Sequence, residues 1–232
     1  MRKLLREFQL NLGFKRALFH HPIPSALLAM LRPGRLRLPV ATLAEILGAP
    51  PPPIAFRYFA PPPMNTGPND LVPLCTLAAA SGTQRILEVG CHLGAGTLSL
   101  ATACPSARIV TYDILPQAGA FIVKSEPALR DRIERRIVSF PSDAARLHAE
   151  PPYDFIYIDG DHTAASVHAD TELALEILAP GGLIVWHDYC HHGGDWLLGV
   201  NFVPEVLNVL ATRLKLQHVE GTWLAVWRKP TA

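Results

Sequence analysis

An apolar strand that runs into a glycine loop and then a helix is the feature that most constrains the fold of this chain. Residues 85–89, RILEV, have the β-branched, apolar character of a buried parallel strand, and residues 97–102 have the composition of a helix start. Gly90, Gly94 and Gly96 lie between them. Glycines let the backbone turn sharply there and let a ligand approach the main chain. The stretch therefore predicts a loop that binds a nucleoside-bearing cofactor.

The spacing of the glycines and of one acidic residue favours a particular class of cofactor. A dinucleotide fingerprint reads G-x-G-x-x-G, whereas residues 88–96 read E-x-G-x-x-x-G-x-G, with Glu88 before the first glycine. A carboxylate at that position suits a cationic ligand better than a pyrophosphate. We therefore expect the cofactor to lie across Gly90, Gly94 and Gly96 with its cationic part near Glu88.

The rest of the chain from residue 71 alternates between helical and strand patterns, which predicts a parallel sheet with helices on both faces. Residues 214–219 and 222–227 flank Glu220-Gly221 as a β-hairpin, which gives the sheet one antiparallel strand. The predicted strands before this hairpin are residues 85–89, 108–112, 135–140, 155–158 and 183–186. The predicted helices are residues 71–80, 97–103, 117–130, 143–148, 163–178 and 204–210.

An acidic residue ends the second predicted strand, in the sequence IVTYD. Asp113 stands where a carboxylate can accept hydrogen bonds from both ribose hydroxyls of a bound nucleoside. The same residue would serve NAD equally well, or could simply cap the helix that follows. Asp113 thus indicates a nucleoside site without choosing between cofactors.

Two later strands end in clusters of titratable residues. Asp159, Asp161 and His162 follow the apolar strand in DFIYIDGDH. His187 and Asp188 follow the next strand, in GGLIVWHDY. Ligands bind at the carboxyl ends of strands in open α/β sheets, and buried carboxylates need solvent, hydrogen bonds or a cation. The two segments therefore predict a site for chemistry where neighbouring strands end.

These segments together resemble the class I S-adenosylmethionine-dependent methyltransferases over roughly residues 67–232. The glycine loop with its preceding acid matches their first motif. I-D-G-D-H at residues 158–162 and the G-G-x-x-x-x-H-D-Y pattern at residues 181–189 resemble a bacterial family related to macrolide-sugar O-methyltransferases and cephalosporin-hydroxylase-like proteins. The resemblance implies an α/β fold, a Rossmann-like doubly wound sheet of seven strands, mostly parallel. It also implies S-adenosyl-L-methionine as cofactor and a small-molecule acceptor that is methylated on a hydroxyl group.

The same resemblance gives individual residues expected roles. Ser142 and Asp143 occupy the position that touches adenine, although Ser-Asp is also an ordinary helix N-cap. Asp159 and Asp188 occupy positions where related O-methyltransferases hold a divalent cation, usually Mg²⁺, and Asp159 also borders the cofactor. Carboxylate oxygens are the ligands that such a hard ion prefers. Tyr189 stands where the catechol-type pattern has an asparagine, so the third metal ligand is left undefined.

The expected reaction is an in-line displacement, in which an acceptor hydroxyl held near Asp159 and Asp188 attacks the sulfonium methyl group. Asp159, His162 and His187 are the candidate catalytic residues. Either histidine could accept the proton, because imidazole titrates near neutral pH, and either could instead be structural. The histidines also permit a site of two histidines and one carboxylate for iron or another transition metal. Such an iron site does not need the cofactor that the glycine loop predicts.

Two other functions stay open at this point: an NAD(P)-dependent oxidoreductase, and a protein that binds S-adenosylmethionine without catalysis. The glycine spacing and the terminal hairpin disfavour the oxidoreductase. Metal-dependent turnover would separate an enzyme from a binding protein.

Composition sets the outer bounds of the prediction. With 232 residues, 49% hydrophobic content and a net charge of +1, the chain can bury a full core and carries too little charge to indicate nucleic-acid binding. Its four cysteines contain no C-x-x-C pair, which suggests neither a zinc ribbon nor a disulfide framework and fits a reducing cytoplasm. No apolar run reaches membrane-spanning length, and the first residues lack the features of a signal peptide.

The first 66 residues are expected to form a basic, Pro-rich arm or lid on a domain that spans residues 67–232. Residues 1–37 carry a net charge of +7, and the remainder carries −6. Short helices are predicted at residues 24–31 and at 43–47, the second with Thr42 as its cap. Apolar residues near helical spacing in residues 4–12 predict a surface helix that either meets an acidic lipid or substrate, or packs on its own domain or a second subunit. We favour packing, and with it a homo-oligomer that forms through the arm.

Overall fold

The computed structural model describes residues 37–59, 66–190 and 201–231. Within these ranges the chain forms one eight-stranded sheet, and its helices pack on the two faces. The strands are β1 (Val40–Ala41), β2 (Arg85–Val89), β3 (Arg108–Asp113), β4 (Ile133–Ile137), β5 (Tyr153–Ile158), β6 (Leu178–Trp186), β7 (Gln217–Val219) and β8 (Ala225–Arg228). Their order across the sheet is β1-β7-β8-β6-β5-β2-β3-β4.

All neighbouring strands are parallel except where β8 meets β6 and β7. β8 is therefore the one antiparallel strand of the described sheet, as the terminal hairpin predicts. The number of strands differs from the prediction of seven, because β1 is added at the edge and pairs in parallel with β7. A two-residue strand is too short to produce an alternating pattern, so no sequence pattern indicated it.

Alternation along the central strands explains why both faces of the sheet are covered. On β5, Ile156 and Ile158 belong to the core on one face, whereas Phe155 and Tyr157 belong to the core on the other. Successive side chains of a strand point to opposite faces, so a strand that is apolar at every position must be buried on both. The doubly wound architecture predicted from the sequence is confirmed.

The helices follow the predicted order with shifts at their ends. They are α1 (Leu43–Leu47), α2 (Pro68–Ala80), α3 (Ala95–Ala103), α4 (Ala120–Lys124), α5 (Pro127–Arg130), α6 (Ala144–Ala149), α7 (Ala164–Ile177) and α8 (Val203–Leu210). A 3₁₀ turn at Phe140–Asp143 precedes α6. Residues 117–130, which were predicted to be mostly helical, contain the two short helices α4 and α5. Pro127 begins the second helix, and the residue before a proline is disfavoured in helical geometry.

The described part of the predicted arm packs onto the domain. Thr42 caps α1 in a capping box, with its hydroxyl accepting from the Glu45 amide and the Glu45 carboxylate accepting from the Thr42 amide at 2.7 Å. This confirms the predicted short helix and its cap. The basic segment and the helix predicted at residues 24–31 lie outside the described residues. Among the residues that the structure describes, no helix combines the length and apolarity that crossing a bilayer requires.

Candidate active site

The ends of three neighbouring strands are joined by main-chain hydrogen bonds, which bring the predicted site residues to one edge of the sheet. The amide of Gly90 donates to Tyr112 O at 2.9 Å, and the amide of Asp159 donates to Val89 O at 2.8 Å. The amide of His187 continues the series by donating to Ile158 O at 3.0 Å. The residues that follow β2, β5 and β6 are therefore held side by side by the sheet itself.

The glycine loop has a conformation and a packing that require glycine at two of its predicted positions. Gly90 has φ +99°, and a Cβ there would collide with the carbonyl oxygen of Asp159. Gly96 lies in the first turn of α3, and a Cβ there would be 2.9 Å from Glu88 Oε1. The loop is therefore packed directly against both Glu88 and Asp159. That these glycines contact the cofactor stays a prediction, as it does for Gly94, which begins α3 at φ +91°.

Glu88 lies beneath this loop rather than on its open side. Its side chain is 1% exposed, and its carboxylate accepts hydrogen bonds from the hydroxyls of Thr97 and of Thr111, the latter at 2.6 Å. Burial raises the pKa of Glu88 to about 7, although the two hydroxyls act in the opposite direction. Glu88 thus ties β2 to α3 and β3, and its closeness to the cationic part of the cofactor stays a prediction.

Asp113 holds the neighbouring loops at the end of β3. Its Oδ2 accepts from the His92 amide at 2.7 Å, and its Oδ1 accepts from the Leu115 amide at 2.9 Å. The first bond crosses from β3 to the glycine loop. Asp113 is half-buried and borders that loop, which is compatible with the predicted contact to a ribose.

Ser142 and Asp143 have local structural partners at the end of β4. The Ser142 hydroxyl is exposed and donates to Ser139 O at 2.7 Å. Asp143 Oδ2 accepts from the Tyr112 hydroxyl at 2.7 Å and lies 3.6 Å from the buried Arg136 guanidinium. Neither contact tests the adenine assignment, which stays a prediction that rests on the resemblance.

Asp159, His162, His187 and Asp188 form one compact cluster. His162 Nε2 lies 2.9 Å from Asp188 Oδ2 and 4.0 Å from Asp159 Oδ1. His187 Nδ1 lies 3.2 Å from Asp159 Oδ1 and 3.2 Å from Asp188 Oδ1. Tyr157 donates its hydroxyl proton to Asp159 Oδ2 at 3.0 Å. The sequence prediction that the two strand ends converge is borne out by this geometry, whereas the role of each residue stays a prediction.

Opposite charges in this cluster shift every pKa away from its ordinary value. Burial opposes ionisation of Asp159, but the charge of His187 and the close contacts of both histidines together outweigh it and lower the pKa of Asp159 to about 2. The pKa of Asp188 lies well below its ordinary value for the same reasons. Burial likewise opposes charge on the histidines, but the two carboxylates raise the pKa of His162 to about 10 and that of His187 well above its ordinary value. With nothing else bound, the cluster is a set of mutually neutralising charges.

Asp161, the remaining acid of the motif, turns away from this cluster. Its Oδ2 accepts from the hydroxyls of Thr163 and Ser166, both at 2.7 Å, at the start of α7. It therefore supports Thr163, the N-cap of α7, a role that the sequence pattern did not separate from the roles of Asp159 and His162.

Asn201 and Phe202 connect the residues that follow β5 with those that follow β6. Asp188 has φ +61°, an uncommon value for a residue with a side chain, and its carbonyl accepts from Asn201 Nδ2 at 3.0 Å. The amide of Phe202 donates to His162 O at 2.9 Å. Both strand-end loops are thus fixed to the start of α8. Sequence reasoning missed Asn201, because its partner lies 13 positions earlier in the chain and no sequence periodicity links the two.

Asp70 is the second site residue that sequence reasoning missed. It lies in the first turn of α2, where an acidic residue is an ordinary helix-start signal. This local role gives no indication of the contacts that Asp70 makes with distant residues. Its Oδ2 lies 3.5 Å from His187 Nε2, and its Oδ1 accepts from the Trp223 amide at 2.7 Å. The Trp223 ring also lies 5.8 Å from the His187 ring. The terminal hairpin thus forms one wall of the cluster.

Tyr189 does not supply the amide that the catechol-type pattern places after Asp188. The residue is fully buried, and its hydroxyl accepts from the amides of Arg37 and Leu38 at 2.8 and 2.9 Å. It also donates to Asn208 Oδ1 at 3.2 Å. Tyr189 therefore anchors the chain that precedes β1, and the third metal ligand must come from elsewhere if a metal is held.

The donor set of the cluster fits a divalent cation. One ligand atom from each of Asp159, His162 and Asp188 lies within 4.8 Å of the others. Two neighbouring buried carboxylates repel each other unless a proton or a cation lies near them. The oxygens also face His187 Nδ1, a buried atom that has no hydrogen-bond partner among the described residues. Both observations are those expected of a site that binds a cation.

Comparison with known proteins finds similarity to methyltransferases. Residues 87–189 match the family described as a methyltransferase domain. A curated catechol O-methyltransferase of Mycobacterium tuberculosis is 30% identical over 125 residues, which cover 52% of this chain and 55% of that protein. The chain therefore spans about half the length of this curated relative.

Solved structures show the same fold. An O-methyltransferase from Bacillus cereus, solved with SAH, has a TM-score of 0.56 and 24% identity, covering 72% of this chain and 84% of its own. TomG from Streptomyces achromogenes, an O-methyltransferase of tomaymycin synthesis solved with SAM, has a TM-score of 0.57 and 16% identity, covering 95% and 96%. The match over residues 87–189 and the likeness to the catechol O-methyltransferase support the resemblance to class I S-adenosylmethionine-dependent methyltransferases, and the solved structures show the fold that this resemblance implies. The narrower resemblance to macrolide-sugar enzymes stays a prediction.

Proposed function

We propose that this protein transfers a methyl group from S-adenosylmethionine to a hydroxyl group of a small-molecule acceptor. The observation that carries the proposal is the direct packing of the glycine loop on the acidic cluster, where Gly90 lies against the main chain of Asp159. A cofactor bound along the loop would have its methyl group close to Asp159, His162 and Asp188. The likeness to a catechol O-methyltransferase supports oxygen as the atom that is methylated.

In the proposed reaction the acceptor oxygen attacks the methyl carbon in line with the carbon–sulfur bond. A new carbon–oxygen bond forms, and the carbon–sulfur bond breaks with its electron pair left on sulfur, which gives S-adenosylhomocysteine. His162 accepts the hydroxyl proton, and Asp188, 2.9 Å from its Nε2, stabilises the imidazolium that results. His162 suits this role better than His187, because its side chain is 12% exposed whereas that of His187 is 6% exposed.

Asp159 and Asp188 are the residues that would hold a divalent cation, for which Mg²⁺ is the expectation from the resemblance. When bound, the cation would offset the carboxylate charges that raise the pKa of His162 and would lower the pKa of the acceptor hydroxyl. The chain itself supplies the geometry. The amides of Asp159 and His187 bond to the neighbouring strands, and Asn201 fixes Asp188, so the carboxylates are already in place before any ligand arrives.

Turnover assays on the full chain test this proposal. The protein is mixed with S-adenosylmethionine, a divalent salt and a panel of catechols, sugars and other hydroxylated acceptors, and S-adenosylhomocysteine is quantified. We expect turnover that EDTA abolishes. His162→Gln should lower kcat by at least about 100-fold, the usual contribution of a general base, while calorimetry shows unchanged S-adenosylmethionine affinity. His148→Gln, at an exposed histidine paired with Glu176, is the matched control and should retain full turnover.

Three outcomes would contradict the proposal. Preference for NAD over S-adenosylmethionine in the same titration would support the oxidoreductase. Binding of S-adenosylmethionine without transfer to any acceptor would support a non-catalytic binding protein. Full turnover in EDTA, or full turnover of Asp188→Asn, would reject the participation of a metal and leave positioning with a histidine base as the mechanism.

Location and assembly form the remaining part of the proposal. The four cysteines are all free, which supports a reducing cytoplasmic setting. Self-association through the basic arm rests on the charge and apolar spacing of residues 1–37. These two statements are independent of the chemistry proposed above.

A further inference from the structure

His187 has a buried ring nitrogen that the proposed reaction does not use. Nδ1 is inaccessible to solvent and has no hydrogen-bond partner within residues 37–59, 66–190 and 201–231. It lies 3.2 Å from one oxygen of Asp159 and 3.2 Å from one oxygen of Asp188, but is aligned for a hydrogen bond with neither. Buried polar atoms in proteins are nearly always satisfied, so an atom in this position needs an explanation.

The other nitrogen of the ring indicates what Nδ1 can do. Nε2 lies 3.5 Å from Asp70 Oδ2, and a carboxylate oxygen can only accept, so Nε2 carries the proton. In a neutral imidazole that is protonated on Nε2, Nδ1 presents a lone pair. The Trp223 amide holds Asp70 in place through its other oxygen, at 2.7 Å. A histidine that binds a metal almost always donates its second ring N–H to a carboxylate or a carbonyl in this manner.

The distances agree with a shared metal. Neighbouring ligand atoms that each lie about 2.1 Å from one ion in octahedral geometry are separated by about 3 Å. His187 Nδ1 has this separation from both Asp159 Oδ1 and Asp188 Oδ1. His162 does not have these two equal separations. Its Nε2 already has a close partner in Asp188 Oδ2 at 2.9 Å and lies 4.0 Å from Asp159 Oδ1.

We infer that His187 is the third protein ligand of the metal site, through Nδ1, and that Asp70 is the positioning residue that fixes its ring. The inference rests on the proposed function in assuming that the site holds a metal, and it changes His187 from a candidate base to a ligand. An imidazole nitrogen favours first-row transition ions, whereas Mg²⁺ prefers oxygen ligands. The site should therefore bind Mn²⁺ more tightly than Mg²⁺.

Calorimetric titration of the full chain with MnCl₂ and with MgCl₂, without cofactor or acceptor, tests the inference. We expect tighter binding of Mn²⁺. Asp70→Ala should weaken Mn²⁺ binding by about 10- to 100-fold, the usual effect of removing the carboxylate behind a ligating histidine, and His187→Ala should weaken it at least as much. His162→Gln should leave Mn²⁺ affinity essentially unchanged. Unchanged affinity for S-adenosylmethionine shows that each variant has folded.

A spectroscopic measurement adds a test that does not rest on the affinities of the variants. Electron spin-echo modulation of the Mn²⁺-loaded protein should show a directly bound ¹⁴N that persists in His162→Gln. Absence of that coupling, its loss in His162→Gln, equal affinity for the two metals, or no Mn²⁺ binding at all would each overturn the inference. No acceptor or turnover enters these measurements. A protein that transfers methyl groups with Mg²⁺ but shows no nitrogen coupling would therefore retain the proposed function and lose this inference alone.

Discussion

Replacement of Gly90 by alanine tests the contact between the cofactor loop and the acidic cluster. The backbone at Gly90 has φ +99°, and an added Cβ would collide with the carbonyl oxygen of Asp159. It would also lie 2.5 Å from the Asp159 carbonyl carbon and 2.9 Å from the Gly160 nitrogen. These neighbours are main-chain atoms directly after β5, where the Asp159 amide is bonded to Val89 O, so they cannot move aside as a flexible side chain would.

The expected loss of stability has two parts that can be separated. A left-handed backbone costs an alanine about 1–2 kcal/mol relative to glycine, and forcing extra atoms into a packed interior costs about 1–3 kcal/mol more. Gly82→Ala is the matched control, because Gly82 has φ +62° and a Cβ there meets nothing within 4 Å. Gly82→Ala should therefore show the first part alone, and Gly90→Ala should show both.

Urea denaturation of the two variants and the parent measures the difference. We expect Gly90→Ala to be less stable than Gly82→Ala by about 1–3 kcal/mol, and to bind S-adenosylmethionine more weakly because the loop and Asp159 must move apart. Equal stability of the two variants would show that Gly90 and Asp159 are not packed as described. The physical basis of the proposed active site would then be removed, since it depends on that contact.

Two further predictions concern carboxylates outside the metal cluster. Asp113→Ala should weaken S-adenosylmethionine binding by on the order of 2–4 kcal/mol, because it removes charge-assisted hydrogen bonds to the ribose and releases His92 in the glycine loop. Calorimetry on Asp131→Ala, the control at an exposed site, should show no change in affinity. Unchanged affinity of Asp113→Ala would refute the ribose assignment. Burial raises the pKa of Asp170 from 3.8 to about 7, so between these pH values the folded state holds a proton that the unfolded state releases. The contribution of Asp170 to the free energy of unfolding is therefore full below about pH 4 and is lost as the pH rises through about 7. Asp170→Asn should remove that loss and gain on the order of 2 kcal/mol relative to the parent between about pH 5 and pH 8 in urea titrations, and parallel pH profiles for the two proteins would contradict the reasoning.

The elements that the sequence predicted correctly are those with strong local patterns. β2 and β5 and the end of β6 are rich in apolar residues; β2 is followed by a glycine loop, and β5 and β6 are followed by titratable residues that cannot be buried without partners, so both the strands and the site at their ends could be located. The capping box that begins α1 is a four-residue signal and was found for the same reason. Residues 117–130 were predicted to be mostly helical, and their division into α4 and α5 coincides with Pro127, the first residue of the second helix.

The parts that the sequence did not predict depend on contacts between distant residues. Asp70 meets His187 across 117 positions of the chain, and Trp223 meets Asp70 across 153. No periodicity links such positions, and Asp70 also has an ordinary local reading as an acidic residue in the first turn of a helix. β1 joins the sheet only because β7, more than 170 residues later, offers an unpaired edge. These features could be known only once the order of the strands was known.

The arrangement of the sheet separates cofactor binding from chemistry and joins the two at one point. β2 and β3 carry the predicted cofactor residues Glu88 and Asp113 near their carboxyl ends, whereas the loops after β5 and β6 carry the charged cluster. β2 and β5 are neighbours, so the two halves meet where the Asp159 amide donates to Val89 O and Gly90 lies against the Asp159 carbonyl. A change that leaves this contact intact should therefore alter either cofactor affinity or metal-dependent turnover, but not both. Gly90→Ala should alter both, because it acts on the contact itself.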